Sequence, residues 1–318
     1  MYKEKIISVV LPAYNEEEAI VEVLESIPGY VDNVIVVDDG STDRTSEVAS
    51  EKGAIVVKHY MNRGVGIAFR TGVIKALGMD TDIMVNLDAD GQFNPQDIST
   101  LIRPIIDGQV DFVTASRFMD REKTPKMPMA KYWGNVGVAR LISFLMNRKF
   151  HDVSCGFRAY SREALLRMNL FGKFTYTHET FLDLAFKGLR LKEIPISVKG
   201  VRQYGESRVA NNLVRYGYES LKIIFRAFRD YKPFKFFGFI ASVMTLMGFA
   251  AEGVLLWHYV RTGSFSPYKV LGFVGAFLIG IGILIFITGF LADMLYRMRV
   301  NQEEILYHKR REVFDRKG

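Results

Sequence analysis

Two aspartates one residue apart close an apolar run in the first third of the chain. The run begins at Met84 and ends in Asp88-Ala89-Asp90-Gly91-Gln92. If the run is a strand, successive side chains alternate between its two faces, so Asp88 and Asp90 point to the same side. Paired carboxylates suit Mg²⁺, which binds one or two carboxylates and completes its shell with substrate phosphates and water. Asp-x-Asp before glycine is equally typical of a solvated turn, so the pair alone leaves both interpretations open.

Apolar runs and helically spaced segments alternate along the first half of the chain, which predicts an α/β fold with a mostly parallel sheet and helices on both faces. Ligands of such sheets bind beyond the carboxyl ends of the strands, where the polar segments Pro12–Glu16, Asp38–Asp43 and Asp88–Gln92 fall. The predicted strands are Ile6–Leu11, Val34–Val37, Ala54–Lys58, Ile83–Leu87, Phe112–Ala115 and an edge strand over 191–198; the predicted helices are Glu16–Ser26, Thr42–Lys52, Gly64–Leu77, Pro95–Asp107 and the amphipathic Lys131–Arg148.

The segment Asp38–Asp43 carries carboxylates that can accept hydrogen bonds from a nucleobase N–H or a ribose hydroxyl. Its last residues can equally cap the helix that follows. Because the two roles are compatible, we assign ligand contact to Asp39 and helix capping to Thr42 or Asp43.

The composition narrows the class of protein. The 318 residues suffice for one large or two smaller domains, and the single cysteine, Cys155, excludes an internal disulfide framework and favours a reducing compartment. The N-terminus shows no signal-peptide pattern. The basic residues behind the net charge of +7 cluster near the apolar segments, which favours an anionic membrane surface over nucleic acid as the partner.

Two long apolar segments near the C-terminus predict a membrane hairpin. Phe234–Tyr259 contains one acid, Glu252, and Val270–Leu291 contains no charge. Each is longer than the roughly 20 residues that a helix needs to cross the hydrocarbon core. Basic residues cluster before the first segment and after the second, so the positive-inside rule places the N-terminal domain and the C-terminus in the cytoplasm, at a plasma membrane crossed twice. Glu252 then faces a protein interface or lies near the far end of a tilted helix.

These features divide the chain into four parts. Residues 1–210 form the large N-terminal domain, 211–233 a basic amphipathic helix on the membrane surface, 234–296 the hairpin and 297–318 a basic cytoplasmic tail. Several glycines within the spans permit close helix packing, which is compatible with a homo-oligomer.

Five short motifs occur in order along residues 9–118. They are VVLPAYNEE (9–17), VVDDGSTDRT (36–45), NRGVGIAFRTG (62–72), DADGQ (88–92) and ASRF (115–118). In this order they resemble glycosyltransferase family 2, and within it the polyprenyl-phosphate branch of dolichyl-phosphate mannose synthase-like and polyprenyl-phosphate glucosyltransferase enzymes. The resemblance implies a GT-A fold, a nucleotide diphosphate sugar as donor, and Mg²⁺ or Mn²⁺ as cofactor.

The resemblance also implies roles for single residues. One departure is Val65, where many relatives carry lysine, and we assign it no role. For Arg117, a surface ion pair is the alternative to the phosphate contact that the resemblance implies. The implied assignments are the nucleoside pocket for Pro12, Ala13, Tyr14 and Glu16, substrate contact for Asp38, base contact for Asp39, ribose contact for the Ala89 backbone, the metal for Asp88, Asp90 and Gln92, and the diphosphate for Arg117, which suits bidentate phosphate contact.

The segment DVSCGFR (152–158) resembles the family's acceptor-side motif, and we place Asp152 near the reacting phosphate, with Glu179 as a competing candidate. A phosphate monoester has a second pKa of about 6, so Asp152 either accepts a residual proton or orients the nucleophile. The alternatives are a turn or cap residue for Asp152 and a first-turn helix residue for Glu179. The family's basic loop, which closes over phosphates, corresponds to Arg202, Ser207 and Arg208, and the basic residue that relatives use for the acceptor phosphate corresponds to Lys131. For each of these residues the alternative is attraction to lipid headgroups.

The implied function is a membrane-anchored, metal-dependent, inverting transfer of a hexose from a nucleotide sugar of the GDP-mannose or UDP-glucose type to a polyprenyl (dolichyl) phosphate. One alternative is a processive polysaccharide synthase, but such enzymes usually carry QxxRW, and this sequence has no QxxRW. The other is a non-catalytic nucleotide-sugar-binding membrane protein, which would not need the intact set of Asp88, Asp90, Gln92 and Arg117.

Overall fold

The chain is described by a computed structural model over residues 2–120, 122–125, 127–170, 176–199 and 213–314. The strands of its sheet are β1 (Ile7–Ala13), β2 (Asn33–Asp38), β3 (Ile55–Lys58), β4 (Ile83–Asn86), β5 (Phe112–Ser116), β6 (Arg158–Ser161) and β7 (Leu191–Pro195). The helices are α1 (Ala19–Glu25), α2 (Thr45–Glu51), α3 (Val65–Leu77), α4 (Ile98–Ile106), α5 (Met129–Met146), α6 (Arg162–Arg167), α7 (Thr177–Phe186), α8 (Leu213–Tyr231), α9 (Pro233–Thr262) and α10 (Lys269–Phe314).

The strands lie in the order β3-β2-β1-β4-β6-β5-β7. Strand β6 is antiparallel to β4 and β5, and the other neighbouring strands are parallel. Helices cover both faces, because the inner strands are apolar on both sides. On one face of the sheet, Val9 lies in the same core cluster as Ile98 of α4. On the other face, Val10 packs against α3 at Gly72, where a side chain would collide with it. The predicted α/β class is confirmed.

The antiparallel strand β6 was not predicted. Its four residues, Arg-Ala-Tyr-Ser, begin with a charge and show no apolar run, so the sequence offered no strand signal there. Pairing decides the structure instead, since Asn86 of β4 lies opposite Arg158 of β6. Strand β7 lies at the edge of the sheet, as the sequence predicts, but it ends at Pro195 and not at residue 198.

Strand β4 ends sooner than expected, at Asn86 rather than Leu87. Ala89 and Asp90 lie in a turn beyond it. The alternation of side chains along a strand therefore does not extend over Asp88 and Asp90. The pair lies at the carboxyl end of a central strand, which is where the α/β class places ligands.

Helices α9 and α10 are long and apolar enough to cross a membrane. In the most apolar 18 residues of each helix, only 11% of α9 and 17% of α10 is buried, so neither helix resembles the core helix of a soluble protein. Within this hairpin a Cβ at Gly275 would lie 2.9 Å from Oε1 of Glu252 and 3.0 Å from the carbonyl oxygen of Gly248. Glu252 thus faces the second helix of the hairpin, which is the first of the two alternatives above.

Packing divides the chain into two units, one running to Ile224 and taking in the segment from Tyr307, the other spanning Phe225–Leu306. The end of α10 is therefore a packed helix and not an open tail. Tyr307 is buried and its hydroxyl donates to Oε2 of Glu163 at 2.9 Å. Arg310 donates to the carbonyl oxygens of Leu166 (2.9 Å) and Met168 (2.7 Å), at the carboxyl end of α6.

Arg310→Ala should destabilise the unit that contains α6, because two carbonyls at a helix end lose a charged hydrogen-bond donor. Hydrogen bonds to charged groups contribute about 2 kcal/mol, and the expected fall in melting temperature is roughly 5 °C. Thermal melting of the full chain in detergent measures the shift. Lys309→Ala, at the exposed neighbouring position, is the control. Equal melting temperatures for the two variants would contradict the docking of this segment.

Candidate functional site

Two loops at the carboxyl ends of β1 and β2 are joined by hydrogen bonds. The Asp39 N–H donates to the carbonyl oxygen of Ala13 at 2.8 Å, and the Thr42 N–H donates to Oδ1 of Asn15 at 2.8 Å. The Glu16 N–H donates to Oγ1 of Thr45 at 2.9 Å. The loops thus bring the proposed nucleoside-pocket residues to one edge of the sheet; they are Pro12, Ala13, Tyr14, Glu16, Asp38 and Asp39.

Asp38 is fully buried and turned towards its own loop. Its Oδ1 accepts the Ser41 N–H at 2.8 Å, and its Oδ2 accepts the Ser46 hydroxyl. Burial raises the pKa of the Asp38 carboxyl, but the hydrogen bonds from Ser41 and Ser46 outweigh burial and hold that pKa below its ordinary value. Contact between Asp38 and a ligand stays a prediction. Asp43 accepts the N–H of Thr45, the first residue of α2, at 3.0 Å, which fits the capping role assigned to it.

Asp39 fastens the loop that leads into α3. Its Oδ1 accepts the Arg63 N–H (3.0 Å) and lies 2.7 Å from Nδ1 of His59, while its Oδ2 accepts the Gly64 N–H (2.7 Å). Nε2 of His59 lies 2.9 Å from Oγ1 of Thr71. Since a carboxylate oxygen can accept two hydrogen bonds, Oδ2 keeps one acceptor position for the base contact that the sequence assigns to Asp39.

The carboxylate of Asp88 packs closely against Gly156. A Cβ at Gly156 would lie 2.5 Å from Oδ2 of Asp88, so any side chain at 156 would displace that carboxylate. Gly156 belongs to the segment Asp152–Arg158, far away in the sequence. The contact therefore joins the predicted metal-binding motif to the predicted acceptor-side motif.

The residue types that the sequence assigns to the metal suit a cation that also binds phosphate. Oδ1 of the buried Asp90 accepts the Gln92 N–H at 3.1 Å, which holds the two residues in one turn. Among the described residues no three His, Cys, Asp or Glu side chains form a metal-binding group. Two carboxylates and the Gln92 amide fit Mg²⁺ or Mn²⁺, because such ions take only one or two protein carboxylates when substrate phosphates complete the shell.

His151 and His178 do not extend the donor set of Asp88, Asp90 and Gln92. Nδ1 of His151 lies 3.0 Å from Oε2 of Glu193. His178 is fully buried, and burial, reinforced by the charge of Arg158, lowers its pKa to about 4. His178 is therefore neutral at physiological pH.

Arg117 and Asp152 form a bidentate ion pair. Nε of Arg117 donates to Oδ2 of Asp152 at 2.7 Å and Nη2 donates to Oδ1 at 3.0 Å, while the Arg117 N–H donates to Oδ2 at 3.1 Å. The Ser154 N–H and hydroxyl donate to Oδ1 at 3.1 Å each. The Asp152 carboxylate, 1% exposed, thus receives five hydrogen bonds.

This pairing bears on the role of Asp152. Burial raises the pKa of its carboxyl, but the charge of Arg117 and the hydrogen bonds from Arg117 and Ser154 outweigh burial and lower that pKa below its ordinary value. A carboxylate with a lowered pKa is a weak base. Of the two roles left open by the sequence, the geometry favours orientation, with Asp152 holding the guanidinium of Arg117.

Other residues that position the site carried weaker signals in the sequence. Oε1 of Glu193 on β7 accepts the Asp152 N–H at 2.8 Å. The fully buried Arg158 donates to the carbonyl oxygens of Val153 (2.8 Å), Cys155 (2.7 Å) and Thr177 (2.6 Å). For Glu193 the signal was a charged residue within the predicted edge strand. Arg158 carried only its charge, because β6 could not be read from the sequence.

The remaining acceptor-side candidates are placed only in part. Glu179 lies in the first turn of α7, and Lys131 lies near the start of α5. Arg202, Ser207 and Arg208 lie outside the described residues. Their predicted contacts with the acceptor phosphate stay predictions.

Comparison with known proteins bears on the family and the fold. The model of glycosyl transferase family 2 matches residues 8–168. A UDP-N-acetylglucosamine--dolichyl-phosphate N-acetylglucosaminyltransferase of Methanococcus voltae is 34% identical over 235 residues, covering 67% of this chain and 93% of the relative. A dolichyl-phosphate hexose transferase of Haloferax volcanii is 33% identical over 205 residues, covering 64% of this chain and 86% of the relative.

A solved structure is also similar. The crystal structure of glucosyl-3-phosphoglycerate synthase from Mycobacterium tuberculosis, in complex with Mn²⁺, uridine diphosphate and glucosyl-3-phosphoglycerate, matches with a TM-score of 0.56 and 25% identity. The match covers 72% of this chain and 80% of that chain. The predicted GT-A fold is confirmed.

Asp152→Asn should destabilise the fold at neutral pH, because it leaves the partly buried guanidinium of Arg117 without its counter-charge. Breaking such a pair costs about 3 kcal/mol or more. Since the folded-state pKa of Asp152 is lowered, its contribution is present above the unfolded value of about 3.9 and is lost as the pH falls through the folded-state pKa.

Melting temperatures of both proteins, measured from neutral pH to well below the unfolded value of about 3.9, test this expectation. The difference should be wide at neutral pH and should narrow in acid. Asp107→Asn, at an exposed carboxylate after α4, is the control and should melt like the unaltered protein. A difference that stays constant with pH would show that the charge of Asp152 does not stabilise the fold.

Proposed function

The chain belongs to glycosyl transferase family 2, and from that premise we propose that it moves a hexose from a nucleotide diphosphate sugar to the phosphate of a polyprenyl lipid. The chain is a glycosyltransferase. The observation that carries the proposal is the contact of Asp88 with Gly156, because it brings a nucleotide-side carboxylate against the acceptor-side segment. Transfer needs both ligands at one place.

The donor end is assigned to the motifs beyond β1, β2 and β4. Asp39 and the loop after β1 would bind the nucleoside, and Asp88, Asp90 and Gln92 would hold Mg²⁺ or Mn²⁺. When bound, the cation offsets the negative charge of the diphosphate leaving group. The nucleotide-sugar name of the Methanococcus voltae relative and the Mn²⁺ and uridine diphosphate of the solved complex support this assignment.

The proposed reaction is a single displacement. An oxygen of the lipid phosphate forms a bond to the anomeric carbon as the bond from that carbon to the diphosphate oxygen breaks, so the anomeric configuration inverts. The nucleophile has a second pKa of about 6 and is mostly ionised at neutral pH. Asp152 therefore serves to fix Arg117, whose oriented charge stabilises the anionic groups around the reacting carbon.

The lipid acceptor is supported by the surface of α5. This helix buries Ala139 and Ile142 on one side, yet Met129, Trp133 and Phe144 on the other side are 68%, 53% and 83% exposed. Helices that face water carry polar residues on the outer side, so this second apolar face needs an apolar neighbour. Residues 123–151 contain six basic and no acidic side chains, which favours the surface of an anionic bilayer as that neighbour.

The proposed location follows from the hairpin. With α9 and α10 as spans, the distribution of basic residues favours the cytoplasmic side of the plasma membrane for the N-terminal domain and the C-terminus. The acceptor names of both relatives support a lipid phosphate at such a surface.

Asp90→Ala should abolish transfer, because the buried carboxylate beside Asp88 would be lost from the proposed cation site. Membranes containing the full chain are supplied with one polyprenyl phosphate and a panel of nucleotide sugars, and product lipids are identified by mass. Asp107→Ala is the matched control. Full activity in Asp90→Ala would reject the metal assignment. A polymer in place of a glycosylated lipid phosphate would favour a polysaccharide synthase.

Trp133 should lie in the interfacial zone of the bilayer. The chain has two tryptophans, so Trp257→Phe leaves Trp133 as the only one. In vesicles of phosphatidylglycerol, its fluorescence should be quenched by lipids brominated near the headgroup and protected from aqueous acrylamide. The control carries Ile74→Trp, at an exposed position of α3, with both native tryptophans replaced by phenylalanine. If acrylamide quenches Trp133 as strongly as the control, α5 does not contact lipid.

A further inference from the structure

A buried tyrosine lies beside the carboxylate of Asp88. Tyr176, immediately before α7, is 3% exposed, and its hydroxyl lies 3.4 Å from Oδ1 of Asp88. The amide of Asn86, at the end of β4, donates to the same hydroxyl at 2.6 Å and to the carbonyl oxygen of Gly156 at 2.9 Å. From the sequence, neither Tyr176 nor Asn86 was assigned a role.

The hydrogen-bond inventory gives the Tyr176 hydroxyl a direction. The hydroxyl oxygen accepts from Asn86, so its single proton points elsewhere. The acceptors within reach are Oδ1 of Asp88 at 3.4 Å and the carbonyl oxygen of Gly156 at 3.5 Å. Both acceptors belong to the contact between the two motifs. The Tyr176 hydroxyl therefore donates its hydrogen bond at the point where Asp88 packs against Gly156.

The ring of Tyr176 is held as firmly as its hydroxyl. It stacks on Phe69 of α3 with ring centroids 4.2 Å apart and an angle of 12° between the planes. Phe69 is fully buried. Asp39, which is assigned to the nucleoside, binds the backbone at the start of α3. Through Phe69, Tyr176 is therefore packed against the helix that borders the proposed nucleoside site.

We propose that Tyr176, held by Asn86 and Phe69, is a positioning residue that orients the Asp88 carboxylate towards the cation and diphosphate of the donor. The inference rests on the proposed function, since it assigns Asp88 to the cation. Partners of this kind, which hydrogen-bond a ligating carboxylate, typically change metal affinity by about 10- to 100-fold when they are removed. Tyr176 acts through Asp88 and does not itself contact the reacting atoms.

Tyr176→Phe removes the hydroxyl and keeps the ring stacked on Phe69. Binding of Mn²⁺ alone to the full chain in detergent is measured from the electron paramagnetic resonance signal of the unbound ion. We expect about tenfold weaker binding and a melting temperature close to that of the control. The control is Tyr160→Phe, because Tyr160 is also fully buried and packs on Phe69 at 5.8 Å between ring centroids, outside the hydrogen bonds of Asn86.

Transfer kinetics provide the second readout. With the donor sugar found in the nucleotide screen, the Mn²⁺ concentration for half-maximal rate should rise in Tyr176→Phe, while kcat at saturating Mn²⁺ should stay near that of the unaltered enzyme. A purely structural effect would lower kcat at every Mn²⁺ concentration.

The outcomes separate this inference from the proposed function. If Asp90→Ala loses Mn²⁺ but Tyr176→Phe binds it within twofold of the unaltered protein, the positioning role is overturned and the metal assignment stands. Equal losses of Mn²⁺ affinity in Tyr176→Phe and Tyr160→Phe would show that altered packing causes the loss, and would overturn the positioning role as well. If Asp90→Ala binds Mn²⁺ as tightly as the unaltered protein, the metal assignment and the inference fall together.

Discussion

The contact between the Asp88 carboxylate and the backbone of Gly156 is the constraint on which the site depends. It requires a glycine at 156, because a Cβ there would lie 2.5 Å from Oδ2 of Asp88. It also requires the segment after Asp152 to return to the centre of the sheet, which the antiparallel strand β6 achieves by inserting between β4 and β5. Arg158 then secures that segment through three carbonyl oxygens.

Buried charge in the site is stabilised by pairing. Asp39 is bound by two backbone N–H groups and His59, Asp38 by Ser41 and Ser46, and Asp152 by Arg117 and Ser154. A buried carboxylate without such partners would be strongly unfavourable. The same pairs hold the loops in place before any ligand binds, which is the preorganisation that a charged transition state needs.

Strands and helices of the first third could be predicted because their apolar runs and helical spacing are long enough to read. The prediction of β4 was one residue too long, and the alternation argument for Asp88 and Asp90 failed because both residues lie beyond the strand. The α/β class and the polar strand ends were nonetheless correct, since these follow from the order of the elements. Strand β6 could not be predicted from Arg-Ala-Tyr-Ser, because pairing with β4 and β5, and not a local pattern, makes it a strand.

The sequence by itself determined the family, the polar residues that gather at the strand ends and the two long apolar helices, because motif order and hydropathy are local properties of the chain. The tertiary structure alone decided how those residues are used. It paired Arg117 with Asp152, placed Asp88 on Gly156 and set Tyr176 and Asn86 beside it. These contacts join segments that are distant along the chain, so their geometry depends on strand order and packing, which no local pattern contains.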